Sequence, residues 1–222
     1  MQIRPGTTMT YSRANPSPRY VQLLSMYREM HLHGEKFIGI PARETFDGRS
    51  LRAQVRRIKQ LIQRTGATTV LDYGSGKGQQ YDPSPLRVDG EGSWEGVLEY
   101  WGVDEVVCFD PAYPPYSKPP SERFDGVVST DVLEHCPEED VPWIVDEMFS
   151  FARRFVFATI ACYPARKRLP NGENAHITLR EPEWWGAIFD AAAARHGGMT
   201  WEAWVQSRAP NGTGNPETRL GN

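Results

Sequence analysis

The chain has 222 residues, of which 39% are hydrophobic and 11% aromatic, so it suits one globular domain with a sizeable core and is not a disordered chain. Its 25 basic and 28 acidic side chains leave a net charge of -3, which excludes a broad electrostatic attraction for nucleic acid. No apolar run has the length of a membrane span and no signal-peptide core is present at the N-terminus, so no membrane association is expected.

Residues 1–48 are predicted to form an N-terminal arm followed by a helical cap. Residues 1–18 contain several prolines and no periodicity, which is typical of an irregular arm. From Arg19 to His33 apolar residues recur at helical spacing, which predicts an amphipathic helix that ends at Gly34. The segment from Phe37 to Gly48 is predicted to be a loop.

Residues 49–208 are predicted to form the main domain, which begins with a second helix. Ser50 to Arg64 carries apolar residues at helical spacing, and Gly66 suits the end of that helix. The outward positions are basic, which indicates a solvated face or, as the alternative, an RNA-binding patch. These basic residues are Arg52, Arg56, Arg57 and Lys59.

A buried strand that runs into a glycine-rich loop is the central feature of the sequence. Thr68 to Leu71 is a β-branched and aliphatic run, and Gly74, Gly76 and Gly78 follow it. Glycine tolerates sharp bends and lets another molecule approach the backbone closely. Because the carboxyl end of a parallel strand is the usual ligand site in open α/β sheets, this loop is a candidate binding site.

The spacing of the glycines excludes two phosphate-binding motifs. A P-loop fails because Leu71 occupies the place of its first glycine, and a dinucleotide fingerprint fails because Gln79 is sixth when counted from Gly74. The remaining pattern, Asp-x-Gly-x-Gly-x-Gly from Asp72 to Gly78, resembles motif I of class I S-adenosylmethionine methyltransferases. In that family the acidic residue lies near the methionine end of the cofactor, and the glycine loop passes under its ribose and methionine.

A second strand ends in an acidic residue. Residues 81–92 are rich in Pro, Asp and Gly and are predicted to be an insertion before a helix that Ser93 caps and Gly102 ends. Glu105 to Phe109 then reads as a strand, and Asp110 follows it. A carboxylate there can accept charge-assisted hydrogen bonds from both ribose hydroxyls, which is the role that the family resemblance implies for Asp110.

The interval after Asp110 departs from the family pattern. Pro111 to Arg123 is short and contains five prolines, which disfavour both a helix and a central strand. The third strand and its helix are therefore predicted to be shortened or missing. This loop usually contacts adenine in the family, and Tyr113 and Tyr116 are predicted to offer a flat face instead.

A third element in the expected order strengthens the resemblance. Phe124 to Thr130 is predicted to be a buried strand, and Asp131 to His135 resembles motif IV of small-molecule methyltransferases, including quinone-biosynthesis enzymes. The resemblance covers Thr68 to Trp185. It implies a three-layer Rossmann-like α/β methyltransferase fold with a mostly parallel sheet and with the N-terminal helix and loop as a lid over the substrate.

The resemblance also implies the cofactor, S-adenosyl-L-methionine (SAM), and its product, S-adenosyl-L-homocysteine. The predicted cofactor contacts are Asp72, Tyr73, Gly74, Ser75, Gly76, Gly78, Asp110, Pro111, Thr130, Asp131 and Val132.

The remaining elements follow from periodicity. A helix is predicted from Asp140 to Ala152, a strand from Arg154 to Ile160, a helix from Glu181 to Arg195 and a last strand from Thr200 to Gln206. Residues 209–222 are predicted to be a flexible tail.

The candidate catalytic residues are His135, His176 and Tyr163. Methyl transfer needs a nucleophile in line with the methyl group and exclusion of water, and it needs a general base only when the acceptor must lose a proton. Both histidines follow strands and could be that base or orient the acceptor, whereas a purely structural hydrogen bond is the alternative for each. Tyr163 would orient the acceptor or form part of a wall. Glu134 is expected to anchor a backbone group or the His135 ring.

The predicted function is SAM-dependent methyl transfer to a small, planar or aromatic acceptor. Aromatic residues expected around that acceptor are Tyr20, Tyr27, Phe37, Tyr163 and Trp184. The alternatives are a catalytically silent SAM-binding partner subunit and an RNA methyltransferase that uses the basic helix and residues 166–168. Nucleic acid is not an expected partner, and self-association into a homodimer stays open.

The cysteines and histidines indicate neither disulfides nor a metal. Cys108, Cys136 and Cys162 are odd in number and widely spaced, which fits a reducing, cytoplasmic compartment. No Cys-x-x-Cys pair supports a zinc ribbon or an iron–sulfur cluster. A site made of Cys136, His135 and His176 lacks any standard ligand spacing, so no metal is predicted.

Overall fold

A computed structural model describes residues 10–208 and 214–222. The helices are α1 (Pro18–His33), α2 (Val55–Thr65), α3 (Val97–Trp101), α4 (Val141–Phe151) and α5 (Pro182–Arg195). The strands are β1 (Thr69–Tyr73), β2 (Leu86–Val88), β3 (Gly92–Trp94), β4 (Glu105–Phe109), β5 (Phe124–Thr130), β6 (Ala152–Cys162), β7 (Thr200–Ser207) and β8 (Glu217–Gly221). Within the described residues, none of the helices combines the length and apolarity needed to cross a lipid bilayer.

Six strands form one sheet in the order β4-β1-β5-β6-β7-β8, and only the β7–β8 pair is antiparallel. The α/β class with a mostly parallel sheet is therefore confirmed. Counted along the chain within this sheet, the parallel strands have the order 2-1-3-4-5, a doubly wound arrangement whose direction of winding reverses between β1 and β5. Ligands of such sheets bind where the carboxyl ends of those two strands separate.

Helices cover both faces of the sheet because successive strand residues point to opposite sides. Leu71 and Tyr73 pack in the cluster that contains the apolar residues of α4 and α5. Val70 packs in the cluster that contains α2 and α3. A third, smaller cluster joins α1 to Ala112 and Leu169, so the N-terminal helix covers the carboxyl edge of the sheet.

Residues 111–123, where a third strand and helix are predicted to be shortened or missing, form neither. Residues 111–123 contain one short 3-10 turn, Pro114–Tyr116, and no strand or α-helix. The loop closes on itself, since the Asp110 amide donates a hydrogen bond to the Tyr116 carbonyl at 3.0 Å.

The prediction that Ser93 caps a helix is wrong. Ser93 lies in β3, which pairs with β2 in an antiparallel hairpin, and α3 begins only at Val97. The dipeptide Asp89-Gly90 makes the turn, with Gly90 in the left-handed region at a φ of 79°. Asp-Gly between short alternating strands favours a hairpin, and burial of Leu86 and Val88 on one face stabilises it here.

The flexible-tail prediction for residues 209–222 is corrected in its second half. Glu217–Gly221 forms β8 along the outer edge of β7, from Glu202 opposite Gly221 to Gln206 opposite Glu217. An unpaired edge would leave backbone donors and acceptors free, and β8 pairs with this central part of β7. Residues 209–213 lie outside the described part of the chain.

Two N-terminal segments differ in what the structure adds. Residues 10–17 contain no helix or strand, as predicted for an irregular arm, and they are attached to the domain because the Arg13 guanidinium forms an ion pair with Glu147 and donates a hydrogen bond to the Tyr73 hydroxyl at 3.0 Å. The second helix does not start at Ser50, since residues Arg49–Ala53 form a 3-10 turn ahead of α2.

Candidate functional site

A cavity of about 800 Å³ lies at the carboxyl ends of β1, β4, β5 and β6. Helix α1 and residues 38–50, together called the cap, cover it. The volume is within the range of about 300–1,000 Å³ that is usual for small-molecule sites. The cavity therefore lies where the strand order places the ligand site.

The glycine loop forms one wall of the cavity through Gly74 and Gly76. Both have positive φ, 85° and 60°. A Cβ at Gly76 would lie 2.3 Å from the Phe46 carbonyl oxygen, and one at Gly74 would lie 2.4 Å from a Val132 methyl. Glycine is required here so that the cap and the β5 loop can pack closely against this backbone.

Asp110 lies beside the glycine loop and faces the cavity. One carboxylate oxygen accepts a hydrogen bond from the Ala112 amide at 2.9 Å, and the other accepts one from the Gly76 amide at 3.0 Å. Each oxygen has a further lone pair for a ligand. Burial raises the pKa of this carboxyl to about 6, so it is mostly ionised at neutral pH.

Four residues predicted to contact the cofactor do not line the cavity: Asp72, Tyr73, Ser75 and Gly78. The Asp72 side chain faces the α2 and α3 layer, where it accepts hydrogen bonds from Gln80 Nε2 at 3.0 Å and from the Tyr81 hydroxyl at 2.9 Å. The Tyr73 hydroxyl donates to Glu147 on the opposite face at 2.6 Å. The remaining predicted contacts, Gly74, Gly76, Asp110, Pro111, Thr130, Asp131 and Val132, all line it.

The turn after β5 forms the wall next to the glycine loop, where Val132 packs against Gly74. Asp131 has a φ of 55°, which is uncommon for a residue other than glycine and marks a constrained backbone. The Thr159 hydroxyl donates to the Asp131 carboxylate at 2.9 Å. Burial raises the pKa of this carboxyl as well.

The three candidate catalytic residues come together at the other end of the cavity. The rings of His135 and His176 are 4.8 Å apart between centroids, and the Tyr163 ring is 5.9 Å from that of His176. His135 Nδ1 lies 2.8 Å from the Ala175 carbonyl oxygen, and His176 Nδ1 lies 2.6 Å from the Tyr163 carbonyl oxygen. Carbonyl oxygens only accept, so each ring carries its proton on Nδ1 and keeps Nε2 unprotonated.

Both imidazoles are neutral at physiological pH. Burial, with the nearby His176 as a smaller cause, lowers the pKa of His135 to about 3, and burial also lowers the pKa of His176. Neutral rings with a free nitrogen can accept a proton or bind a cation.

Glu134 lies beneath the two histidines and is completely buried. Its Oε1 atom accepts a hydrogen bond from the Ala161 amide at 2.9 Å, which confirms the expectation that it anchors a backbone group. Its Oε2 atom has no hydrogen-bond partner among the described residues. Burial, followed by the charge of Asp131, raises the pKa of Glu134 well above its usual range.

Sequence reasoning missed a tether between the cap and the glycine loop. Lys77 Nζ lies 3.1 Å from His31 Nδ1 and donates to the Thr45 carbonyl oxygen at 3.1 Å. Because an ammonium only donates, the ring proton of His31 is on Nε2, 3.8 Å from an Asp110 carboxylate oxygen. The sequence feature that could have predicted the buried position of His31 is its spacing, since it follows Tyr27 by one helical turn and lies on the same buried face.

The aromatic residues expected around an acceptor divide into two groups. Tyr20, Tyr27 and Tyr163 line the cavity, and so does Phe46, which sequence reasoning did not select. The others do not: Phe37 is exposed, and Trp184 packs against Trp185. The two residues predicted to offer a flat face for adenine, Tyr113 and Tyr116, do not line the cavity either, and they pack against each other.

No protein-family model matches the chain, and comparison with curated proteins finds no match either. The methyltransferase family therefore stays a prediction that rests on the motifs and on the geometry of the cavity.

Proposed function

We propose that the protein is a SAM-dependent methyltransferase that acts on a small acceptor. The observation that carries the proposal is the cavity itself. It joins the glycine loop and Asp110 at one end to two neutral imidazoles at the other, at the β1/β5 reversal of the sheet. Such a cavity offers separate places for a cofactor and an acceptor under one cap.

The cofactor end supplies groups of the required chemistry. The free lone pairs of Asp110 would accept hydrogen bonds from the two ribose hydroxyls. Gly74 and Gly76 expose backbone without side chains to the methionine part. Asp131 places a carboxyl group on the wall formed by the turn after β5, and a carboxylate favours the positive charge of a sulfonium.

The acceptor end favours a planar or aromatic molecule. Tyr20, Tyr27 and Phe46 provide aromatic walls that bind flat, apolar groups and exclude water. His135 and His176 line this end of the cavity as neutral rings whose Nδ1 protons are donated to backbone carbonyls, which leaves Nε2 as the unprotonated nitrogen of each ring. A hydroxyl or ring N–H of the acceptor could donate to either one and so be held in line with the methyl group.

The RNA alternative is weaker at helix α2, because two of the basic residues named for it are already paired there. Arg56 pairs with Glu91 at 2.7 Å, and Arg57 pairs with Glu217 at 2.6 Å and lies over the Trp204 ring. The cap also covers the cavity, which suits a small acceptor better than a nucleotide within a long strand.

Calorimetry with SAM and S-adenosylhomocysteine tests the proposal on Asp110→Asn. The exchange keeps the size of the side chain but removes its charge and replaces one acceptor oxygen by a donor, so it weakens two charge-assisted hydrogen bonds to the ribose, each worth about 1.5–3 kcal/mol, and disturbs one of the bonds from Gly76 and Ala112. We expect at least a tenfold loss of affinity, since about 1.4 kcal/mol corresponds to a factor of ten.

Asp82→Asn is the matched control, because Asp82 is exposed and outside the cavity, and it should bind like the unchanged protein. Equal affinity in a folded Asp110→Asn variant would contradict the cofactor assignment. Normal SAM binding without methyl transfer to any phenolic or heteroaromatic acceptor would instead favour the silent partner subunit.

A further inference from the structure

Glu134, His135 and His176 form a cluster whose donor atoms converge. One ligand-capable atom from each of the three lies within 4.8 Å of the other two. Two imidazoles and one carboxylate form a donor set that proteins use for divalent transition metals. The sequence spacing does not indicate this set, because His176 lies in the long loop between β6 and α5, far along the chain from Glu134 and His135.

The hydrogen bonds of the two histidines have the pattern found around metal-bound imidazoles. A ligating histidine usually donates its second ring N–H to a backbone carbonyl or carboxylate, which fixes the tautomer and the ring orientation. His135 does so to Ala175 at 2.8 Å, and His176 does so to Tyr163 at 2.6 Å. Both rings are thereby held with the other nitrogen unprotonated, which is the form that binds a metal.

Glu134 provides an independent observation. Its Oε1 atom is held by the Ala161 amide, whereas Oε2 is buried without a hydrogen-bond partner among the described residues. An unsatisfied buried oxygen is costly, and a buried carboxyl group in such a place is usually paired with a cation or a metal, whose binding displaces the carboxyl proton. No lysine or arginine pairs with Glu134 in the described part of the chain.

We propose that Glu134, His135 and His176 bind a divalent transition-metal ion at the acceptor end of the cavity. The mixed nitrogen and oxygen donors suit Zn²⁺, Co²⁺ or Fe²⁺ and disfavour Mg²⁺, which prefers oxygen ligands. Three protein ligands leave at least one coordination position of a tetrahedral ion open. His135 and His176 both line the cavity, so the open position faces it.

The ion would also define the acceptor class, and this part rests on the proposed methyl transfer. An acceptor with a hydroxyl or ring nitrogen next to a second donor atom could coordinate the ion and be oriented by it. The histidine lone pairs are then used for coordination, so His135 and His176 position the acceptor through the ion and do not accept its proton.

The test measures metal binding directly on untagged protein. The chelator-treated protein is dialysed against Zn²⁺, Co²⁺ or Mg²⁺, and bound metal is counted by mass spectrometry. We expect one equivalent of Zn²⁺ or Co²⁺, with visible absorption for Co²⁺, and no Mg²⁺. Glu134→Gln and His176→Ala should each weaken Zn²⁺ binding by at least about tenfold, while the exposed His33→Ala should not.

Circular dichroism and SAM calorimetry on the same variants separate the two proposals. Loss of Zn²⁺ with retained fold and SAM affinity supports the metal site, whether or not methyl transfer is found. Absence of bound metal in the unchanged protein, or full metal binding by folded Glu134→Gln and His176→Ala variants, would overturn it. Failure of SAM binding in the unchanged protein would refute the methyltransferase and leave the metal result standing.

Discussion

The carboxyl group of Asp72 is buried in a way that favours its protonated form in the folded protein. It is buried between Gln80 and Tyr81, and its Oδ1 atom has no partner among the described residues. Burial raises its pKa to about 7, despite the lowering effect of both hydrogen bonds. The residue that opens the glycine motif therefore supports the loop from beneath and does not face the cavity.

Asp72 is predicted to make stability fall as pH rises from about 4 to about 7. Its native pKa lies above the unfolded value of about 3.9, so folding takes up a proton between these limits. The stabilisation is complete at low pH and is lost as the pH passes the native pKa. The free energy of unfolding in urea should fall by up to about 1.4 kcal/mol per pH unit because of Asp72, and Asp72→Asn should remove this contribution.

The matched control for this pH series is Asp82→Asn, an exposed acid whose removal should leave the slope unchanged. An Asp72→Asn variant with the full slope of the unchanged protein would show that this carboxyl is ionised throughout.

At the scale of elements, the position of the cap depends on a polar contact between α1 and α4. Ser17, the N-cap of α1, accepts a hydrogen bond from the Tyr20 amide at 3.0 Å and donates its hydroxyl proton to Asp140. Asp140 precedes α4 but does not cap it with its side chain, because its carboxylate accepts from the Ser17 amide at 3.0 Å and from Trp143 Nε1 at 2.7 Å. One buried carboxylate thus joins the two helices.

Asp140→Ala is predicted to destabilise the protein and to loosen α1. It leaves three buried donors without an acceptor, and each costs about 1–3 kcal/mol, so we expect the free energy of unfolding in urea to fall by at least about 3 kcal/mol. Amide exchange should increase first in residues 18–33. Glu122→Ala, at an exposed position, is the control, and equal stability of the two variants would contradict the role given to Asp140.

At the scale of the molecule, β8 closes the open edge of the sheet. Its backbone pairs with β7 from Glu202 to Gln206, and its Glu217 also pairs with Arg57 of α2. The last strand therefore connects the sheet edge to the helical layer that supports β1.

Truncation after Arg208 is predicted to lower the melting temperature and to cause concentration-dependent aggregation. It removes β8 and exposes the edge of β7, which then offers unpaired backbone groups to another chain. Thermal unfolding and light scattering measure both effects. Full-length Glu217→Gln is the control, because it weakens the Arg57 ion pair but keeps the ladder. A truncated chain that stays monomeric and equally stable would contradict this prediction.

The sequence by itself determined the elements whose causes are local. Apolar periodicity placed the strands that precede Gly74, Asp110 and Asp131, and proline content showed that residues 111–123 form neither strand nor α-helix. These features depend on neighbours within a few residues, so their physical causes are visible in one stretch of chain.

Only the tertiary structure decided which side chains meet. The pairing of His135 with His176, the tether from Lys77 to His31 and the edge strand β8 all join segments that are distant in the chain. Contacts of this kind depend on strand order and on the packing of α1 over the sheet, which no local pattern encodes. For the same reason the sequence could not show that an oxygen of Glu134 is buried without a partner, because β6 and the loop after it, which surround that side chain, are distant in the chain.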